Sequence, residues 1–192
     1  HRRKVFNEER VPPTGGVILA ANHLSYIDPP LIGCSTRRVI YYLARESAFK
    51  NTIGGAILRS WNSIPVDRDG SGAKGLRTIL ERLNEGRAIM MFPEGTRSAD
   101  GQVGRFKGGS FLVAVEAGLP VVPVAVIGSN HVMRKGRLMT CPGEVQLVVH
   151  QPIPTSGLRR QNVRQLAERV HEVIASTVST HTTAVKRSNV VS

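Results

Sequence analysis

Cysteine is nearly missing from this sequence: Cys34 and Cys141 are the only two in 192 residues, far apart and without partners at metal-ligand spacing. That scarcity excludes a disulfide framework or a zinc knuckle and fits a reducing compartment. Long apolar runs are missing as well. The longest, such as Val17 to Ala21 and Val121 to Ile127, have strand length, far short of the ~18 apolar residues that a membrane-spanning helix needs. Aromatic residues make up 5% of the chain and form no ribonucleoprotein-type motif, which argues against nucleic-acid recognition. No charged, apolar and cleavable signal pattern opens the chain. It starts at His1 where a Met would stand, as expected of a trimmed N-terminal segment.

Acids are the last shortage. Against 26 Lys plus Arg there are 14 Asp plus Glu, leaving a formal charge of +12 at pH 7. Such an excess favours polyanionic partners: nucleic acid, an anionic bilayer or a phosphorylated small molecule. Otherwise the composition is that of a folded protein, 41% apolar and 21% charged, and the length suits one domain.

What is present is an alternation of short β-branched runs with amphipathic stretches, the pattern of a single α/β domain with a mostly parallel central sheet flanked by helices. Strands are predicted at Val17–Ala21, Val39–Leu43, Ile64–Val66, Ala88–Phe92, Val121–Ile127 and Glu144–His150. Helices are predicted from Asp28, over about Gly54–Trp61, Ser71–Glu85, Gly109–Ala117 and Arg160–Thr177. The domain is expected to cover 1–178, with a disordered tail over 179–192, where small polar residues show no pattern. Ligands of open α/β sheets sit beyond the carboxyl ends of strands, so the loops after Ala21, Val66 and Phe92 should face one crevice.

Those loops hold the chemistry. In Asn22-His23-Leu24-Ser25-Tyr26-Ile27-Asp28 a strand-to-helix turn can fold Asp28 onto one nitrogen of His23, leaving the other free as a general base. Asp28 before two prolines equally suits a helix N-cap without any catalysis. No Gly-x-Ser-x-Gly nucleophile elbow occurs, so a base here points to a substrate that supplies its own attacking hydroxyl. In Phe92-Pro93-Glu94-Gly95-Thr96-Arg97-Ser98 and Phe106-Lys107-Gly108-Gly109, Arg97 offers phosphate a forked donor and Lys107 a point charge, beside glycines that allow close backbone approach. Read blandly, this is a solvated loop capping its strand. Asp67-Arg68 after Ile64-Pro65-Val66 is by itself an ordinary surface pair, and Val121 to Val126 a core strand with Pro123 near its start.

In this order the four segments resemble the four sequence blocks of the glycerolipid acyltransferase family, over nearly all of the chain from Val11 to the closing helix. The resemblance implies a glycerol-3-phosphate acyltransferase-like fold, with His23 as general base and Asp28 as its orienting carboxylate. Arg68, Glu94, Gly95, Thr96 and Arg97, supported by Lys107, would form the acceptor-phosphate site, and Val122-Pro123-Val124 would serve the acyl donor or chain packing. It implies transfer from acyl-CoA or acyl carrier protein, with no permanently bound cofactor and no metal, to the sn-2 hydroxyl of a 1-acylglycerol 3-phosphate. The partners are then a lysophospholipid, the thioester donor and an anionic membrane surface, not nucleic acid, at the cytoplasmic face of the cell membrane. Two departures stand out: Asn62-Ser63 where a glycine is common, and Arg45 where many relatives carry lysine. The rivals are the same chemistry on another lysophospholipid, or a non-enzymatic basic module that binds membrane surfaces through Val132 to Met139.

Overall fold

The computed structural model describes residues 2–50, 52–66, 73–98, 100–133 and 139–188. Among the described residues seven strands form one sheet: β1 (Arg2–Phe6), β2 (Val17–Ala21), β3 (Ile40–Arg45), β4 (Ser63–Val66), β5 (Ala88–Met91), β6 (Val121–Ile127) and β7 (Glu144–Val149). Their order is β1-β7-β6-β2-β5-β3-β4, and every pair is parallel except β6 with β7. Apolar residues run unbroken through β2 and β5 because both faces of the sheet are covered.

Alternation along the strands divides the core in two. Ile18, Ala20, Ile89, Met91 and Val121 pack under α3 (Ala73–Asn84), α4 (Leu112–Ala117) and α6 (Val163–Ser188). Leu19, Ala21, Met90, Val122 and Val124 face the side of α1 (Asp28–Gly33) and α5 (Ser129–Val132). Each fully buried aliphatic contributes about 1.5–3 kcal/mol, so the site is mounted on deeply buried strands. Helix α2 (Thr52–Ser60) lies outside, along β4.

Three expectations change. Strand β1 has no counterpart in the sequence reading: its basic residues are exposed, and it completes the sheet edge in parallel register with β7, with Lys4 paired to Glu144 at 3.0 Å. The stretch expected to be a single helix to Ala117 begins as a 3-10 turn over Gly108–Phe111 before α4. The segment read as a tail from 179 is helical to Ser188: Val178 still packs on the core, and the Ser179 and Thr180 hydroxyls donate to the Ser176 carbonyl. Arg68, the Ser71 helix start and the basic run Arg134 to Arg137 lie outside the described residues.

Candidate active site

Strands β2 and β5 are hydrogen-bonded neighbours, so their following loops leave the sheet side by side. At the end of β2 the buried Asn22 anchors the first loop: its amide donates to the Val126 carbonyl (2.9 Å) and accepts from the Val126 N–H (2.8 Å). The chain then turns, and the fully buried Asp28 folds back beneath it. One carboxylate oxygen, Oδ2, accepts the N–H groups of Leu24 and Ser25, both at 2.7 Å, and lies 3.0 Å from His23 Nδ1. Because that oxygen is an acceptor, Nδ1 carries the ring hydrogen and Nε2 offers a lone pair. The ring face is fixed as well, stacked on Phe92 with centroids 4.1 Å apart and planes at 22°.

Asp28 does not cap the helix that follows it. Helix α1 begins at Asp28 itself, Ile27 occupies the cap position, and no side chain caps the helix. The carboxylate serves the turn and the histidine instead.

The second loop opens with a tight turn in which Gly95 N–H donates to the Phe92 carbonyl at 3.0 Å. Gly95 has φ 76°, a left-handed conformation that a side chain would strain. Glu94 is 7% exposed, and its oxygens accept the N–H groups of His23 (3.3 Å) and Gly104 (3.0 Å). Burial, partly offset by those two amides, pushes its carboxyl up to about 7. Ser98 N–H donates to the His23 carbonyl at 2.8 Å, so both backbone polar groups of His23 are held by this loop. Glu94, expected at the phosphate site by resemblance, spends its oxygens on these amides.

The cations are placed differently. The Arg97 guanidinium lies 3.4 Å from the centroid of the Tyr26 ring, a stack that fixes its plane. Lys107 is exposed, with its N–H on the Pro93 carbonyl at 3.0 Å. Thr96 is exposed, while the Ser98 hydroxyl donates to Asp100 and accepts from Gly101 N–H inside the loop tip. Lys107 and Gly95 also border a cavity of about 430 Å³ whose other walls include Leu43, Leu76, Ile79, Met91 and Val113. His23, Asp28, Glu94, Gly95 and Arg97 are thus gathered by two adjoining loops. Sequence reasoning passed over Asn22, Tyr26 and Phe92 as working parts. A buried Asn closing an apolar strand was the one signal available.

Two adjoining loops at the carboxyl end of a mostly parallel sheet thus bring a histidine held by a carboxylate together with basic side chains and an apolar cavity. The chain belongs to the acyltransferase family: the family model described as Acyltransferase matches residues 2–127. It is 32% identical to a 1-acyl-sn-glycerol-3-phosphate acyltransferase of Chlamydomonas reinhardtii, over 91% of this chain and 52% of the relative. It is 28% identical to the Bacillus subtilis enzyme of that name, over 78% of this chain and 73% of the relative. The crystal structure of the 1-acyl-sn-glycerophosphate (LPA) acyltransferase PlsC from Thermotoga maritima superposes with a TM-score of 0.81 at 33% identity, covering 94% of this chain and 72% of that one. The chain therefore spans about half the length of the algal relative and about three quarters of the bacterial ones.

Proposed function

We propose that this protein transfers an acyl group from acyl-CoA or acyl carrier protein to the sn-2 hydroxyl of 1-acyl-sn-glycerol 3-phosphate, giving phosphatidic acid at the cytoplasmic face of the cell membrane. The observation that carries this reading is His23, oriented by Asp28 and Phe92 with Nε2 as its remaining acceptor, in a chain of the acyltransferase family. Nε2 takes the hydroxyl proton as the oxygen attacks the thioester carbonyl carbon. The tetrahedral adduct collapses, the C–S bond breaks, and the departing thiolate takes that proton from the imidazolium. Asp28 stabilises the imidazolium while it lasts. These steps balance without a permanently bound cofactor.

Arg97 and Lys107, with Arg68 by family resemblance, hold the acceptor phosphate so that the hydroxyl meets Nε2. Glu94 acts in this site by holding the His23 loop. The apolar cavity beside Gly95 suits an alkyl chain whose polar end lies in the crevice.

The test is thiol release over a panel of lysophospholipids and glycerol 3-phosphate with both donor types. Acceptor-dependent release with 1-acyl-sn-glycerol 3-phosphate is expected, and His23→Ala should lower it about 10²–10⁴-fold with the melting temperature unchanged. Vesicle binding without thiol release, or near-normal turnover in that variant, would overturn the reading.

A further inference from the structure

Helix α2 is turned inside out for a surface helix. Its buried position is Gly55, packed so closely that a Cβ there would lie 2.6 Å from the Phe49 carbonyl oxygen. At about 100° per residue, Ile53, Ile57 and Trp61, which follows the helix, fall in one stripe on the side away from Gly55. They are 75%, 46% and 40% exposed, although an amphipathic helix ordinarily turns such residues to the core. Single exposed apolar residues need no explanation, but a contiguous stripe marks an interaction surface.

From Trp61 the stripe continues into an open groove of about 470 Å³ against α1, bordered by Arg37 and Arg38. Arg37 is 91% exposed and lies 3.3 Å from Glu8. Arg38 is spent on the carbonyl oxygens of Pro12, Gly15 and Gly86, so Arg37 is the exposed base of this rim. Lys50 stands exposed just ahead of α2, with Glu46 as the acid of that segment.

A second copy of the chain is a poor occupant. The nine residues of α2 make a helix about 13 Å long, too small a platform for the ~800 Å² per partner of a stable dimer. A bilayer needs no complementary shape, since each apolar side chain partitions by itself while neighbouring bases attract anionic lipid. We propose that α2 is the surface by which the protein seats on an anionic bilayer. Ile53, Ile57 and Trp61 enter the boundary between headgroups and acyl chains, and the exposed Arg37 and Lys50 face the headgroups. This rests on the lysophospholipid acceptor proposed above, because such an acceptor resides in the bilayer. Helix α2 is the crossover from β3 to β4: its start, with Lys50 and Ile53, lies at the carboxyl end of β3, the end from which the His23 and Gly95 loops leave, and Trp61 lies at the amino end of β4.

Trp61 is the only tryptophan in the chain, so its fluorescence reports on this surface alone. Titration with phosphatidylcholine vesicles containing phosphatidylglycerol should shift its emission to the blue, and bromine-labelled acyl chains should quench it. Ile53→Ser with Ile57→Ser should weaken vesicle partitioning at least about tenfold, leaving the melting temperature and turnover of a water-soluble short-chain acceptor unchanged. Sedimentation with vesicles while Trp61 emission stays unshifted and unquenched would overturn the proposal, placing binding elsewhere. Self-association lost in the double variant would overturn it in favour of a second copy. Turnover of the soluble acceptor separates the two readings: its persistence without quenching sinks the membrane surface alone, and quenching without turnover sinks acyl transfer alone.

Discussion

The loops that leave β2 and β5 are neighbours built on opposite plans. The turn after β2 closes on itself, with one oxygen of Asp28 gathering two backbone amides and the His23 ring. The loop from Pro93 to Lys107 is held at its base, by Glu94 reaching Gly104 and His23 and by Lys107 N–H returning to Pro93. The first fixes a single atom, Nε2; the second carries cations across a wider span. Bond making requires one atom placed within a fraction of an ångström, whereas anion binding draws on charge that need only be near. The two loops should therefore fail differently when cut.

Asp28→Asn tests the self-closed turn and should have the largest effect. The amide no longer selects the tautomer, so kcat should fall about 10²-fold or more, with a loss of a few degrees in melting temperature from the weakened turn. A kcat within threefold of the parent would break the contrast. Arg97→Ala tests the basic loop: the acceptor KM should rise about 10–100-fold, the worth of a charge-assisted hydrogen bond, with donor KM and melting temperature unchanged. A fall in kcat at constant KM would instead join Arg97 to the chemical machinery.

Glu94, which links the loops, is read through pH. Its carboxyl is raised in the folded protein from the ordinary 4.5 to about 7, so the folded state holds the extra proton between those values. Stability from that proton is complete below the unfolded value and is lost as pH rises through about 7. Glu94→Gln cannot titrate; relative to the parent, its melting temperature should improve by a few degrees from pH 5 to pH 8. A gap independent of pH would show that Glu94 does not titrate there. The smallest effect is expected for Tyr26→Leu, which removes a stack of about 0.5–2 kcal/mol from Arg97. The acceptor KM should rise severalfold, and not at all when Arg97 is already Ala.

The sheet interior was legible because apolar runs buried on both faces carry a strong signal: β2 and β6 lie where the sequence places them. Strand β1 was not, since an exposed edge strand of basic residues has no periodicity to read and owes its form to β7. In the site, His23 and Asp28 were legible as a pair, whereas the backbone was needed to show that Asp28 caps no helix. Glu94 shows the limit most clearly. Family resemblance places it at the phosphate site, and in the fold its oxygens meet amides that only the folded loops bring within reach. Tyr26 escaped notice because its partner, Arg97, arrives from another strand.

Asn22 carries a consequence for the molecule as a machine part. By clasping both polar groups of Val126 it makes β6 the datum from which the position of the His23 ring is measured. A shift of β6 would therefore carry the His23 loop with it, whereas loosening of the outer strands would leave that loop in place. The His23 ring is thus tied to a strand on the other side of β2 from the one that leads into the Glu94 loop.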